Sequence, residues 1–335
     1  MSHTIKDVAK KANVSIATVS RVLNGQGGYS IKTKEKVLSA IKELGYQPNA
    51  LARGLINKRT KTIAILFPEV SSMFSAKILR GVENVVHEQG ASVIVCNTAS
   101  NGIRTMKYLQ LLHEKRIEGI IFVSEVLKEE YYEAVSSMNI PIVLAATETY
   151  RYQLPYVKVN DRHAAYTAVE YLINKGHQKI GMISGNKYDP IAGHPRIEGY
   201  KEALRRNYIT VNEKYIVDAK GFGFKDGFEN LPRLLEAAPD ITAVFAASDE
   251  MAVGVISAAY RLGIRIPDDL SVIGYDNLPL GEMSIPPLTT VAQPLEEIGE
   301  MAANMLFTMI ETGETMESRI MPHKIIERAS VKTLY

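Results

Sequence analysis

From residue 62 onward the chain alternates short apolar runs with amphipathic stretches, and this alternation restricts its fold more than any other feature. TIAILF (62–67), SVIVC (92–96), GIIFV (119–123), PIVLAA (141–146), KIGMIS (179–184), AVFAA (243–247) and SVIGY (271–275) are five or six residues long and rich in β-branched side chains. Between them the stretches 73–89, 102–116, 163–175, 196–207, 225–237 and 249–262 repeat apolar residues at helical spacing. Such alternation predicts parallel sheets covered by helices on both faces. Roughly 270 residues are too many for one small sheet and suit two lobes. The helical pattern lapses near 155–162 (PYVKVND) and again near 276–292 (DNLPLGEMSIPPLTTVA), where the chain is expected to cross between lobes. The methionine-rich stretch 294–310, PLEEIGEMAANMLFTMI, is expected to be a long core helix.

Several classes are disfavoured at once. The single cysteine, Cys96, has no intramolecular partner, and its VIVCN setting reads as a buried strand residue. MSHTIKDVAKK lacks the apolar core of a signal peptide, and no stretch approaches the roughly 18 apolar residues of a membrane span. A cytoplasmic protein without a membrane partner is expected. Catalytic chemistry does not assemble either. There is no G-x-G-x-x-G after a strand and no G-x-x-x-x-G-K-[ST], and Gly221-Phe222-Gly223 is an isolated loop fragment. His3, His87, His113, His163, His177, His194 and His323 show no metal-ligand spacing, and GMISG (181–185) is not a nucleophile elbow. No enzyme activity, metal or cofactor is expected.

The net charge of +2 conceals an asymmetry. Residues 1–60 hold eleven Lys and Arg against three acids, a net +8, while the other 275 residues hold 28 bases and 34 acids, a net −6. A basic head on an acidic body points to phosphate contact at one end. Charge alone leaves a merely solvated basic surface open.

Within the head, Thr4 and Asp7 make a capping-box pattern, and Ile5, Val8, Ala9 and Ala12 mark one helix face. Asn13-Val14 interrupts this helix, and Ser15 is placed to cap a second with Val19, Val22 and Leu23 inward. Asn24 to Gly28 ends it, and Ser30 opens a third helix with Val37, Leu38, Ile41 and Leu44 facing the first two. Two short helices joined so tightly cross steeply, the helix-turn-helix geometry that sends the second helix into the major groove. Ile16, Ala17, Ser20 and Arg21 then face outward, and Arg21 alone has a fork suited to guanine. Ile16 and Ala17 offer apolar contact to a thymine methyl, while Thr18 and Lys10 or Lys11 reach phosphates. A protein-docking module is the competing reading of the same head. Next comes GYQPNALARGLINKRTK (45–61), where Pro48 ends any preceding helix and Asn49 can cap a new one. A helix of about eight residues is marginal without a packing partner, so this segment alone reads as a tether.

A cleft for a small polar ligand needs a few placed polar groups and an aromatic face. Asp276, directly after SVIGY, is suited to accept from vicinal hydroxyls, Arg196 in RIEGYKEAL to donate, and Phe222 to stack on a ring. Structural roles compete: Asp161 and Asp276 as caps, Arg196 paired with Glu198 or Glu202, and the phenylalanines as core.

The run TIKDVAKKANVSIATVSRVLNG followed by KVLSAIKELGYQPNALARGL resembles the head of the lactose/galactose-repressor (LacI/GalR) family of bacterial transcription regulators. Head and hinge resemble the catabolite control protein subgroup, although Ile16 and Ala17 match its usual pair only loosely and leave the operator sequence open. The resemblance covers essentially all of 62–330. It implies an α N-terminal helix-turn-helix head and an α/β two-lobed, periplasmic-binding-protein-like body of two parallel-sheet lobes. The corresponding domains are a DNA-binding head at 1–46, a hinge helix and linker at 47–61, and an effector-binding and dimerisation body at 62–335. The lobes would comprise about 62–160 with 291–320, and about 161–290 with 321–335. The implied DNA contacts are Thr4, Ser15, Ile16, Ala17, Thr18, Ser20, Arg21, Asn24, Tyr46, Asn49, Ala52, Arg53 and Leu55. Leu55 takes the place of an apolar wedge that kinks the duplex from the minor groove. Implied effector contacts are Ser72 and Phe74 in the first lobe, Asp161 at the crossover, and Arg196, Phe222, Ser248 and Asp276 in the second.

The function so implied is repression from a pseudo-palindromic double-stranded operator, bound as a homodimer and controlled by a sugar or sugar derivative. The dimer would pair through the helix around Phe74–Val86 and second-lobe elements. The catabolite control subgroup docks a phosphorylated phosphocarrier protein through basic residues. Here no Lys or Arg lies between Arg265 and Arg319, while that stretch carries ten acids, so phosphocarrier docking there is disfavoured. A local regulator controlled by a small molecule is preferred to a global one controlled by a phosphorylated protein, with docking on the first lobe left open. The rivals are a sugar sensor without DNA function, which leaves residues 1–60 unexplained, and a sugar-directed enzyme.

Overall fold

Helix starts in the head follow the capping residues. The computed structural model describes residues 3–23, 25–46, 60–99 and 102–334, and the chain divides into two units, Met1–Thr60 and Lys61–Tyr335. In the first unit α1 spans Ile5–Ala12, α2 Ile16–Leu23 and α3 Ile31–Leu44. Asp7 accepts from both the backbone N–H (2.7 Å) and the hydroxyl (2.8 Å) of Thr4, which holds its carboxyl below the ordinary range. Ser30 accepts from the Thr33 amide, and Asn13 and Gly45 end α1 and α3 in the left-handed region. Val8, Ala9, Ala12, Val19, Val22, Val37 and Ala40 form the core, with Ile5, Leu23, Ile41 and Leu44 packed around it. Leu38 departs from expectation. It is 47% exposed and Ala40 is buried in its stead, because 37, 40, 41 and 44 share a helix face and 38 lies about 100° off it.

The second unit contains two six-stranded sheets. In the first lobe the chain runs β1 (Thr62–Phe67), α4 (Met73–Glu88), β2 (Ser92–Asn97), α5 (Thr105–Lys115), β3 (Gly119–Val123), α6 (Glu129–Met138), β4 (Ile142–Ala145) and β5 (Tyr156–Val159). The second lobe holds α7 (Asp161–Asn174), β6 (Ile180–Ser184), α8 (Gly193–Arg206), β7 (Ile216–Asp218), α9 (Phe224–Ala237), β8 (Ala243–Ala246), α10 (Asp249–Arg261), β9 (Ser271–Asp276), α11 (Pro279–Met283) and β10 (Thr289–Ala292). The chain then returns for α12 (Leu295–Thr312) and β11 (Arg319–Met321) in the first lobe and closes with β12 (Lys324–Ile326) in the second. Strand order is β11-β5-β4-β3-β1-β2 in one sheet and β12-β10-β9-β8-β6-β7 in the other, parallel throughout except for β10 with β12. Strands β3, β4, β6, β8 and β9 are buried along their whole length, which is why they read as continuous apolar runs.

Three crossings join the lobes, after Val159, after Ala292 and after Met321. Their positions shift the expected boundaries by a residue or two, because Val291 and Ala292 pair with β9 while Met321 pairs with β5. The two expected lapses are also partly ordered: PYVKVND contains β5, and 276–292 contains α11 and β10. Since β5 and β10 each run to a carboxyl end and feed directly into the other lobe, the carboxyl edges of both sheets face one another. That is where open α/β sheets hold ligands. α12 does lie in the first-lobe core, and it crosses α4 so closely that a Cβ on Gly81 would stand 2.0 Å from the Glu296 carbonyl oxygen.

Candidate functional site

The outer face of α2 offers the head's candidate DNA surface. Ile16 is 45% exposed, Ala17 and Arg21 are exposed, and Thr18 and Ser20 are half-buried. Ser15 accepts from the Thr18 amide at 3.1 Å, which leaves the two hydroxyls 2.9 Å apart at the amino end of the helix. Tyr46 is half-buried against the head core, and Thr4 is held by Asp7. Asn24, Asn49, Ala52, Arg53 and Leu55 lie outside the described residues.

In the body, five of the seven expected ligand contacts belong to one buried second-lobe cluster. Arg196, on the first turns of α8, donates to Asp161 Oδ1 through Nε (3.1 Å) and Nη2 (2.9 Å) and to the Ala247 carbonyl through Nη1. Its partner is therefore Asp161, not Glu198 or Glu202; Glu202 binds Arg162 and Arg206 instead. The guanidinium lies 3.8 Å from the ring centre of Tyr275 and 5.6 Å from that of Phe222. Tyr275 OH donates to Asp161 at 3.2 Å, and Lys158 Nζ sits 2.8 Å from Glu148 and 3.7 Å from Asp161. Ser248 caps α10 by accepting from the Met251 amide and donates to the Phe222 carbonyl at 2.6 Å. The Phe222 ring rests on Gly185, where a Cβ would meet it at 2.2 Å.

Asp276 closes the cluster. It accepts from Gln293 Nε2 at 2.7 Å, and burial together with the charges of Asp161 and Glu250 pushes its carboxyl up to about 7 against the pull of Arg196. Behind it Asp249, fully buried, is pushed up to about 8 by burial and by Asp276, although it accepts from Thr290 Oγ1 (2.5 Å) and the Leu278 amide (2.6 Å). The remaining pair, Ser72 and Phe74, stands on the first lobe. Ser72 caps α4, and Phe74 packs half-buried on the first-lobe core. Sequence reasoning missed Lys158, Tyr275, Gln293 and Asp249. Lys158 and Tyr275 were within reach, since one lies inside PYVKVND and the other next to Asp276. Cys96 is buried as expected, and burial raises its thiol to about 11, so it stays protonated. A separate concavity of about 730 Å³, lined by Asn186, Asp218, Lys220, Asp226 and Arg233, contains none of the expected contact residues.

A helix-turn-helix head joined to a two-lobed body with a buried polar cluster defines a DNA-binding regulator with a sensor domain. The comparisons agree. Residues 4–49 match the model of bacterial regulatory proteins of the lacI family, and residues 169–331 that of a periplasmic binding protein-like domain. Catabolite control protein A of Priestia megaterium is 40% identical over 334 residues, covering 99% of this chain and 100% of the relative. Among solved structures, the lac repressor dimer bound to operator and the anti-inducer ONPF aligns at 27% identity and a TM-score of 0.87, covering 99% of this chain and 100% of that one. The transcriptional regulator CelR–cellobiose complex aligns at 31% identity and 0.75, covering 98% and 99%. The chain belongs to the lacI family of bacterial regulatory proteins and is a DNA-binding transcription regulator. Among the described residues no helix is long and apolar enough to cross a membrane.

Proposed function

We propose that the chain acts in the cytoplasm as a homodimeric repressor whose cleft takes an uncharged saccharide. The observation that carries the ligand class is the charge inventory of the cluster. Its buried cations are already answered, Arg196 by Asp161 and Lys158 by Glu148 and Asp161, whereas Asp276 and Asp249 sit in carboxylate excess. Arg196 keeps two of its five N–H donors, enough for sugar hydroxyls. Asp276 supplies the acceptor and Phe222 the apolar face. A phosphorylated ligand would bring a buried anion to a cluster whose cations are already answered, and burial without a free cation opposes it. Likeness to a cellobiose complex supports the same class.

Thermal unfolding of the full chain with cellobiose, glucose and glucose 6-phosphate tests this. A neutral ligand at a hundred times its Kd adds about 2.7 kcal/mol of stability. The neutral sugar series is expected to contain the stabilising member and the phosphate ester to do nothing. Stabilisation by glucose 6-phosphate would overturn the assignment.

The same reading gives Ile16, Ala17 and Arg21 base contacts, with Leu55 as the central wedge. It pairs two heads on a two-fold site, since a lone head has no way to read a palindrome. Footprinting genomic fragments with the full chain is expected to protect two inverted half-sites. A single asymmetric half-site would remove the dimer from the proposal.

A further inference from the structure

We infer that Lys77 is a positioning residue for the ligand site and, with Leu278, ties the segment following Asp276 to the first lobe. The inference rests on reading Asp276 as a ligand contact. By chain position Leu278 belongs to the second lobe, directly after β9, yet it is 1% exposed and lies in the first-lobe apolar cluster of Ile78, Val82, Leu295 and Ile298. Beside it Lys77 Nζ, on first-lobe α4, donates to the Asn277 carbonyl at 2.9 Å. The second lobe grips the same segment from behind. Arg328 Nη2 donates to Asn277 Oδ1 at 2.8 Å, and the Leu278 amide donates to Asp249 at 2.6 Å. Asn277 has φ of 57°, a left-handed form open to asparagine, whereas the φ of 117° at Asp276 is one that a side-chain-bearing residue keeps only where its surroundings impose it.

A second approach lies one turn earlier on α4, where the Met73 amide comes near enough to the Glu250 carboxylate of α10 to work against the burial that raises its proton affinity. The turn bearing Ser72 and Phe74 thus lies between Lys77, bonded to the segment that carries Asp276, and the Met73 amide, which approaches Glu250 on the helix that Ser248 caps. Motion of Asp276 on ligand contact must shift Leu278 in the first-lobe core or break the Lys77 bond. Packed cores switch between discrete arrangements instead of deforming smoothly, so the motion passes to α4.

Hydrogen exchange on the full chain tests the tie, comparing the parent with Lys77→Met, which keeps the apolar stem and removes the ammonium. Amides of 276–281 and of 73–76 are expected to exchange about tenfold faster, as for loss of a charged hydrogen bond. Lys77→Arg restores both. An unchanged rate at 276–281, or loosening confined to 73–76, overturns the inference. Neither DNA nor ligand is needed, so failure of the sugar series with coupled exchange intact would remove the ligand reading alone.

Discussion

Arg196→Met should destabilise the body by about 3–5 kcal/mol, the penalty for leaving a buried carboxylate without its cation. Arg196 and Asp161 are each 6% exposed, and Arg196 supplies Asp161 with two hydrogen bonds. Tyr275 and Lys158 still face Asp161 in the variant, which places the expected loss toward the lower end of that range. The double variant Arg196→Met with Asp161→Leu removes both charges and should recover much of the loss, because replacing a whole buried pair by apolar groups is often neutral. Denaturant midpoints measure both. Additive losses in the double variant would show that the pair is not the source.

The second large effect is a pH dependence centred on Asp249. An unfolded aspartate titrates near 3.9, whereas Asp249 in the fold is held up at about 8 and Asp276 at about 7. Between these limits the folded chain binds protons that the unfolded chain has released. Both groups therefore contribute stability that is complete below about pH 4 and lost as pH rises through 7 to 8, with a slope of up to about 1.4 kcal/mol per pH unit for each. His177 and His323 act in the opposite sense. Burial holds both below the ordinary imidazole value, so stability gained from them rises with pH up to about 6.5. The test is consequently the difference between Asp249→Asn and the parent across pH 5 to 8. Asparagine stays neutral throughout, so the variant should have the flatter profile and gain on the parent as pH rises. Since Asp276 is among the groups raising Asp249, the two titrate as a pair, and part of the slope at Asp276 should change with it. Parallel profiles would mean that Asp249 is ionised in the fold.

Much of this architecture could be read from the chain alone. Ile5, Val8, Ala9 and Ala12 mark a helix, and Thr4, Ser15 and Ser30 mark where helices begin, because capping and periodicity operate within four residues. The seven apolar runs are all strands; five of them are buried on both faces, where a strand needs nothing but apolar side chains, while the edge strand β2 is apolar though partly exposed. What escaped notice was short or mixed. β7, β11 and β12 are three residues each, too brief for any pattern, and β5 hides its strand behind Lys158, whose charge is answered by Glu148. Helix α6 also went unanticipated, although Glu129 and Glu130 occupy its first turn.

By itself the sequence determined that this is a basic three-helix reader followed by an acidic two-lobed sensor. Those properties depend on composition and on neighbours a few positions apart. The tertiary structure alone decided which cation answers which carboxylate, and which carboxyls keep a proton. Arg196 meets Asp161 across 35 residues, Tyr275 meets the same carboxylate across 114, and Lys77 meets Asn277 across 200. Charge pairing and proton affinity follow from burial and from distances of a few ångströms between such remote segments, and no local window of the chain contains either.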